Sequence, residues 1–165
     1  MRRNHRIAVA CLTTLLSGCG LPLQEGSYAL TARVTAATTD TCHLLGAGGS
    51  LPSLEELRAS GSIVMLSEAF PGSVEQAQIS GRRQGVKDGA PEKFFAGGAV
   101  EDVPFTLEGK SCSVHFAQVQ ITATVETATT FTGNYTLFYD LWADQPGCPI
   151  RCDLVVDYDA VHAGP

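Results

Sequence analysis

The chain has 165 residues, 44% of them hydrophobic, with a formal net charge of −6 and six cysteines. That length builds one domain with an adequate core rather than two. An acidic balance argues against a nucleic-acid binder, which needs clustered Lys and Arg on phosphate; the one small basic cluster, Arg82-Arg83 with Lys87, reads as a solvated hairpin.

The first six residues, Met1-Arg2-Arg3-Asn4-His5-Arg6, carry three arginines and no acid, and Ile7 to Leu16 is apolar apart from Thr13 and Thr14. About ten residues rise roughly 15 Å as a helix, half the hydrocarbon thickness of a bilayer. The run is too short to span and suits the core of a signal peptide. It ends in Leu16-Ser17-Gly18-Cys19, which resembles the lipobox of bacterial lipoproteins. Small residues at 17 and 18 let a membrane peptidase reach the bond before the cysteine. The resemblance implies acyl chains on the Cys19 thiol and on its new amino group. Two or more chains hold stably where one does not. Gly20, standing where Asp would redirect the protein, implies the outer membrane.

The expected organisation is a signal peptide over 1–18, a lipidated tether over 19–26 and a single β-rich domain over 27–165. Loss of three arginines lowers the charge from −6 to −9 over the remaining 147 residues, which favours solubility of a tethered domain. No second apolar run is long enough to span.

From Ser27 the pattern has period two: Tyr28, Leu30, Ala32, Val34 and Ala36 share one face of a half-buried strand. Gly46, Gly48 and Gly49 lack a Gly-Lys-Ser/Thr and read as a plain loop rather than a phosphate cradle. Ser53 followed by Glu56 is a capping-box signature, with Leu54 and Leu57 on one side, so a short helix is expected over 53–59. Strands are expected over 62–68, 74–81, 83–88, 92–96 and 103–108, with turn signals at Pro71-Gly72 and Asp88-Gly89. Val114 and Phe116 lead into Val119, Ile121, Ala123 and Val125, and the change of phase between Phe116 and Val119 predicts a β-bulge. After a turn at 127–130, Phe131, Gly133, Tyr135, Leu137, Tyr139 and Leu141 alternate with polar residues. Cys152, Leu154, Val156, Tyr158 and Ala160 form the inward face of the last strand. About eight short strands at hairpin spacing must close or stack to hide their edges. The expectation is an all-β fold, an antiparallel up-and-down barrel or barrel-like sandwich, with the first strand against the last.

Cys11 leaves with the signal and Cys19 takes the lipid. Cys42, Cys112, Cys148 and Cys152 remain, an even number that reads as two disulfides in an oxidising compartment. The spacing C-P-I-R-C is not that of a zinc site. If the first and last strands are antiparallel neighbours, all four cysteines reach one rim, and Cys42–Cys152 with Cys112–Cys148 is the natural pairing. The rival closes Cys148–Cys152 across the Pro149 loop and leaves Cys42–Cys112.

No catalytic constellation stands out. His43, His115 and His162 are far apart and make no metal-ligand pair. Asp153, Asp157 and Asp159 share a strand face without the glycine turn of a calcium loop. Glu55-Glu56 and Glu101-Asp102 are only sequence neighbours, and no serine sits in G-x-S-x-G. The chain therefore reads as a non-enzyme with no cofactor and no metal. Phe116, Phe131, Tyr135, Phe138, Tyr139, Trp142 and Tyr158 cluster late; the odd-numbered set on one strand face reads as core. Phe138 and Trp142 fall on the other face, as an exposed patch for a partner or packed under the helix. A hydrolase whose residues converge only in three dimensions is the weakest of three functions, and two others stand ahead of it. One is a structural or interaction domain tethered to the outer membrane through Cys19, meeting an envelope protein. The other is a carrier of a small apolar ligand: Phe131-Thr-Gly-Asn-Tyr135 and Gly26-Ser-Tyr28 resemble segments of the lipocalin barrels, which imply a ligand in the mouth.

Overall fold

The computed structural model of the protein describes residues 23–45, 51, 53–57, 63–66, 78–84, 90–107 and 109–165. Nine strands lie there: β1 (Gly26–Arg33), β2 (Thr39–Asp40), β3 (Leu54–Leu57), β4 (Ile63–Leu66), β5 (Gln78–Gln84), β6 (Lys93–Leu107), β7 (Lys110–Val125), β8 (Thr130–Leu141) and β9 (Arg151–Gly164). From β3 to β9 each strand pairs antiparallel with the next in sequence. β1 is hydrogen-bonded to β3 on one side and to β9 on the other, and the short β2 adds to β9 with Thr39 opposite Val155. The fold is thus an all-β antiparallel meander in one sheet, its first strand beside its last. The Gly26 end of the sheet holds the start of β1, the β7–β8 turn and the end of β9. The opposite, disulfide end holds the β8–β9 loop.

The inner face follows from the period-two pattern. Ala117, Val119, Ile121, Ala123 and Val125 of β7 are buried, as are Phe131, Tyr135, Leu137, Tyr139 and Leu141 of β8 and Leu154, Val156, Tyr158 and Ala160 of β9. Large residues face small ones across the ladder: Tyr139 lies opposite Ala117, Phe131 opposite Ala160, and Tyr158 opposite Gly133. Such alternation fills the space between strands without forcing side chains off their rotamers. Gly133 has a further reason. A Cβ there would strike the Thr122 carbonyl oxygen. That carbonyl accepts a hydrogen bond from the Tyr158 hydroxyl (2.9 Å), while the Asn134 N–H turns to the Thr122 hydroxyl (3.2 Å). Glycine lets Tyr158 reach past β8 to bond β7.

Several expectations are corrected. The helix over 53–59 is absent: Leu54–Leu57 is strand, and no helix occurs among the described residues. Leu54 and Leu57 are both fully buried, and their spacing of three imitates a helical face. Between them three steps along β3 match two along β1, from Gly26 to Tyr28. A bulge therefore brings both leucines to the inner face, as a helical turn would have done. The strands over 92–96 and 103–108 are one, β6, which β7 pairs without a break in count. Of those over 74–81 and 83–88, the described residues form one strand, β5, and Arg82 and Arg83 lie within it, in the hairpin that β5 makes with β6. β1 ends at Arg33, leaving Val34 exposed and Ala36 outside the strand. The bulge in β7 falls between Val114 and Phe116, earlier than predicted. Leu23 is already buried, so the packed domain begins inside the segment assigned to the tether. The expectations on residues 1–22, Gly46, Gly48, Gly49, Pro71-Gly72, Lys87 and Asp88-Gly89 lie outside the described residues.

Candidate functional site

Both disulfides sit at the end of the sheet opposite Gly26. Cys42 is bonded to Cys152 and Cys112 to Cys148, the pairing that antiparallel neighbourhood of the first and last strands implies. The first joins the segment after β1 to the start of β9. The second ties the β6–β7 hairpin to the β8–β9 loop. Around Cys42, the Asp40 carboxylate accepts the Leu44 and Leu45 N–H groups, both at 2.9 Å, which tightens the loop after β2.

The β8–β9 loop is built to hold one exposed ring. β8 stops pairing at Leu141, opposite Val114. Beyond it the Gln145 side chain takes over: its Oε1 accepts the Ser113 N–H, and its Nε2 donates to the Ser113 carbonyl and the Trp142 carbonyl, both at 2.8 Å. A side-chain amide thus joins the Trp142 N–H in extending the ladder past Leu141. Asp144 and Gly147 adopt positive φ (69° and 79°) to make the turn. The Trp142 N–H bonds the Ser113 carbonyl (3.2 Å), and Trp142 remains 48% exposed.

Trp142 packs on His115, ring centroids 4.2 Å apart. His115 is the bulged residue of β7, and bulges re-aim a side chain. On its other side lies Asp102, in the left-handed region (φ 53°), whose carboxylate oxygen is 3.9 Å from the imidazole Nδ1. That distance is too long for a hydrogen bond but short enough for electrostatic attraction to an imidazolium. A bulge, a left-handed Asp and an exposed Trp therefore converge on the outer face. Beside them the Arg151 guanidinium lies over the Phe138 ring (5.7 Å) and pairs with Asp140 (3.4 Å). The patch offers a π face, a cation and carboxylates, groups that hold a ligand by stacking and by charge.

The remaining residues singled out in the sequence are dispersed. His43 is exposed beside Cys42, and His162 sits at the Gly26 end, edge-on to Tyr28 (5.1 Å). Asp153 accepts from the Thr41 hydroxyl, Asp157 from Asn134 (3.4 Å), and Asp159 pairs with Arg33 (3.4 Å). Each acid has its own partner, and among the described residues no three His, Cys, Asp or Glu converge as metal ligands. Cys19 lies outside the described residues, as do the Glu55 and Glu56 side chains. The His115–Trp142 contact was not legible in the chain, because the loop between β8 and β9 has no periodic signal. Its one trace was the break of phase expected between Phe116 and Val119, which the structure places at His115.

The inner face at the Gly26 end is filled by aromatic rings. Phe131 lies 4.9 Å from Tyr28, 5.0 Å from Phe94 and 6.0 Å from Tyr158, tilted or edge-to-face. Farther along, Tyr135 and Tyr139 are fully buried, and burial pushes their phenols well above the usual range. Compared with family models, curated proteins and solved structures, the chain matches none of them.

Proposed function

We propose that this is a cell-envelope lipoprotein, anchored to the outer membrane through acyl chains on Cys19, whose β-domain serves as an interaction module. The domain in this reading is an eight-stranded up-and-down barrel, because pairing from β3 round to β9 returns to β1, which is bonded on both sides. Two disulfides suit an oxidising envelope compartment. The observation that carries the interaction role is the His115–Trp142 stack. An exposed aromatic ring is held on the outer wall by a loop pinned through Cys112–Cys148 and Gln145. Partly exposed, rigid aromatic side chains are the usual anchors of interfaces.

Two experiments test this. In cells fed labelled palmitate, the parent takes up label and fractionates with membranes; Cys19→Ser does neither. A variant that stays labelled and membrane-bound refutes the anchor. A photo-crosslinking residue at position 142 is expected to give a discrete adduct, and one at exposed Phe95 none. An equal result at both positions refutes the interaction role.

A second reading, a lipocalin-like carrier, draws on the same proposed barrel and on the phenols of Tyr135 and Tyr139 within it. The aromatic cluster around Phe131 weighs against it, since those rings occupy the space a ligand would need. Native mass spectrometry of the purified protein decides between them: a co-purifying apolar molecule favours the carrier.

A further inference from the structure

The backbone is clamped to the domain very soon after Cys19. Leu23 is 2% exposed, and the Gln24 N–H bonds the Ala128 carbonyl (2.8 Å) in the β7–β8 turn. The Tyr28 hydroxyl donates to the Gln24 carbonyl (2.9 Å), and His162 Nε2 lies 3.0 Å from the Glu25 carbonyl. All these partners belong to the Gly26 end of the sheet, where Ser27 pairs with Gly164. Only Gly20, Leu21 and Pro22 separate the clamp from Cys19. Four residue steps reach at most ~14 Å, even fully extended.

The two ends of the domain are much farther apart than that. β7 and β9 have 16 and 14 residues. At about 3.3 Å per residue and the ~40° tilt of barrel strands, their ends lie roughly 35 Å apart along the axis. The tether therefore reaches one end of the domain and not the other.

We propose that the Gly26 end, formed by Leu23–Gly26, the 126–130 turn and His162–Pro165, is held against a lipid surface, while the disulfide end with Trp142 is presented away from it. This orientation rests on the acylation of Cys19. The chemistry of the membrane-facing end fits contact at headgroup level without insertion. Thr127, Ala128, Thr129, Thr130 and Gly164 bring no charged side chain, and the exposed carboxylates Glu25 and Glu126 oppose entry into an anionic leaflet. The exposed ring on the outer wall would then face partners in the compartment instead of competing with the bilayer for contact.

The test uses the full acylated protein in phosphatidylethanolamine–phosphatidylglycerol vesicles containing headgroup-spin-labelled lipid. Trp142 is the only tryptophan in the chain, so its emission reports one place; the expected result is no quenching. In the Trp142→Phe, Pro165→Trp double variant the ring sits at the tethered end, and quenching of the order of two-fold is expected within the ~14 Å reach. A Gly/Ser insert of about 20 residues after Leu21 should abolish it, because such a linker relaxes to a span of roughly 25 Å. Quenching at position 142, or none at 165 in the acylated protein, overturns the orientation. Mass spectrometry of the N-terminal peptide separates the two levels: a Cys19 without acyl chains overturns the anchor, and the orientation with it.

Discussion

Cys42 is bonded to Cys152, 110 residues away in sequence, beside the seam where β1 and β9 pair through seven residues from Ser27 to Arg33. The cross-link and the seam close the same long loop, so each lowers the entropic cost of the other. The loop-entropy argument assigns about 4–5 kcal/mol to this bond and about 4 kcal/mol to Cys112–Cys148, whose separation is 36. Cys42→Ser/Cys152→Ser should therefore be less stable than Cys112→Ser/Cys148→Ser by roughly 1 kcal/mol in urea unfolding. The reverse order would show that the seam holds without its staple.

The buried phenols predict the alkaline limit of the fold. Burial raises Tyr135, Tyr139 and Tyr158, and for Tyr139 the Tyr135 charge adds to it. In the unfolded chain a tyrosine ionises near pH 10. Above that pH the unfolded state releases protons that the folded state keeps, so stability falls as pH rises past about 10 and is unaffected by these groups below it. Absorbance at 295 nm should show these three phenols ionising only as the far-ultraviolet signal collapses. Ionisation near pH 10 with the fold intact would mean that the inner face is open to water.

How much of this was readable beforehand depends on regularity. β8, β9 and the part of β7 beyond its bulge alternate, and their inward sets were legible almost residue by residue. The disulfide pairing was legible too, because it follows from which strands are neighbours and in which direction they run. Irregular positions misled. Leu54 and Leu57 present the same spacing whether a helix or a bulged strand carries them, and only the register against β1 decides. The expected strands over 92–96 and 103–108 left a gap between them, yet β7 pairs straight across it, Gly97 and Gly98 included. At the candidate site the determinants are tertiary: Gln145 bonds Ser113 from 32 residues away, and nothing local marks it as a strand substitute.

Gly133 offers a sharp test of packing. A methyl group there meets the Thr122 carbonyl, which belongs to backbone and cannot rotate aside. Gly133→Ala should cost about 2–4 kcal/mol and weaken the Tyr158–Thr122 hydrogen bond. Gly109→Ala meets nothing within 4 Å and carries only the strain of φ 79°, on the order of 1 kcal/mol. Chemical denaturation of the two variants should rank them in that order, and equal losses would place the clash elsewhere.

Phe131 is the hub of the inner face at the Gly26 end, touching Tyr28, Phe94 and Tyr158. Truncation to Ala removes both its buried area and its ring contacts, which together cost about 3–5 kcal/mol. The void left behind is lined by rings and aliphatic groups, and apolar cavities of that kind stay dry and accept small aromatic guests. Phe131→Ala should consequently bind benzene or a similar probe in a thermal-shift titration, regaining part of its lost melting temperature. The parent should show no such gain, because its own ring already occupies the place. A parent that binds the probe as well as the variant does would return the carrier reading to the front.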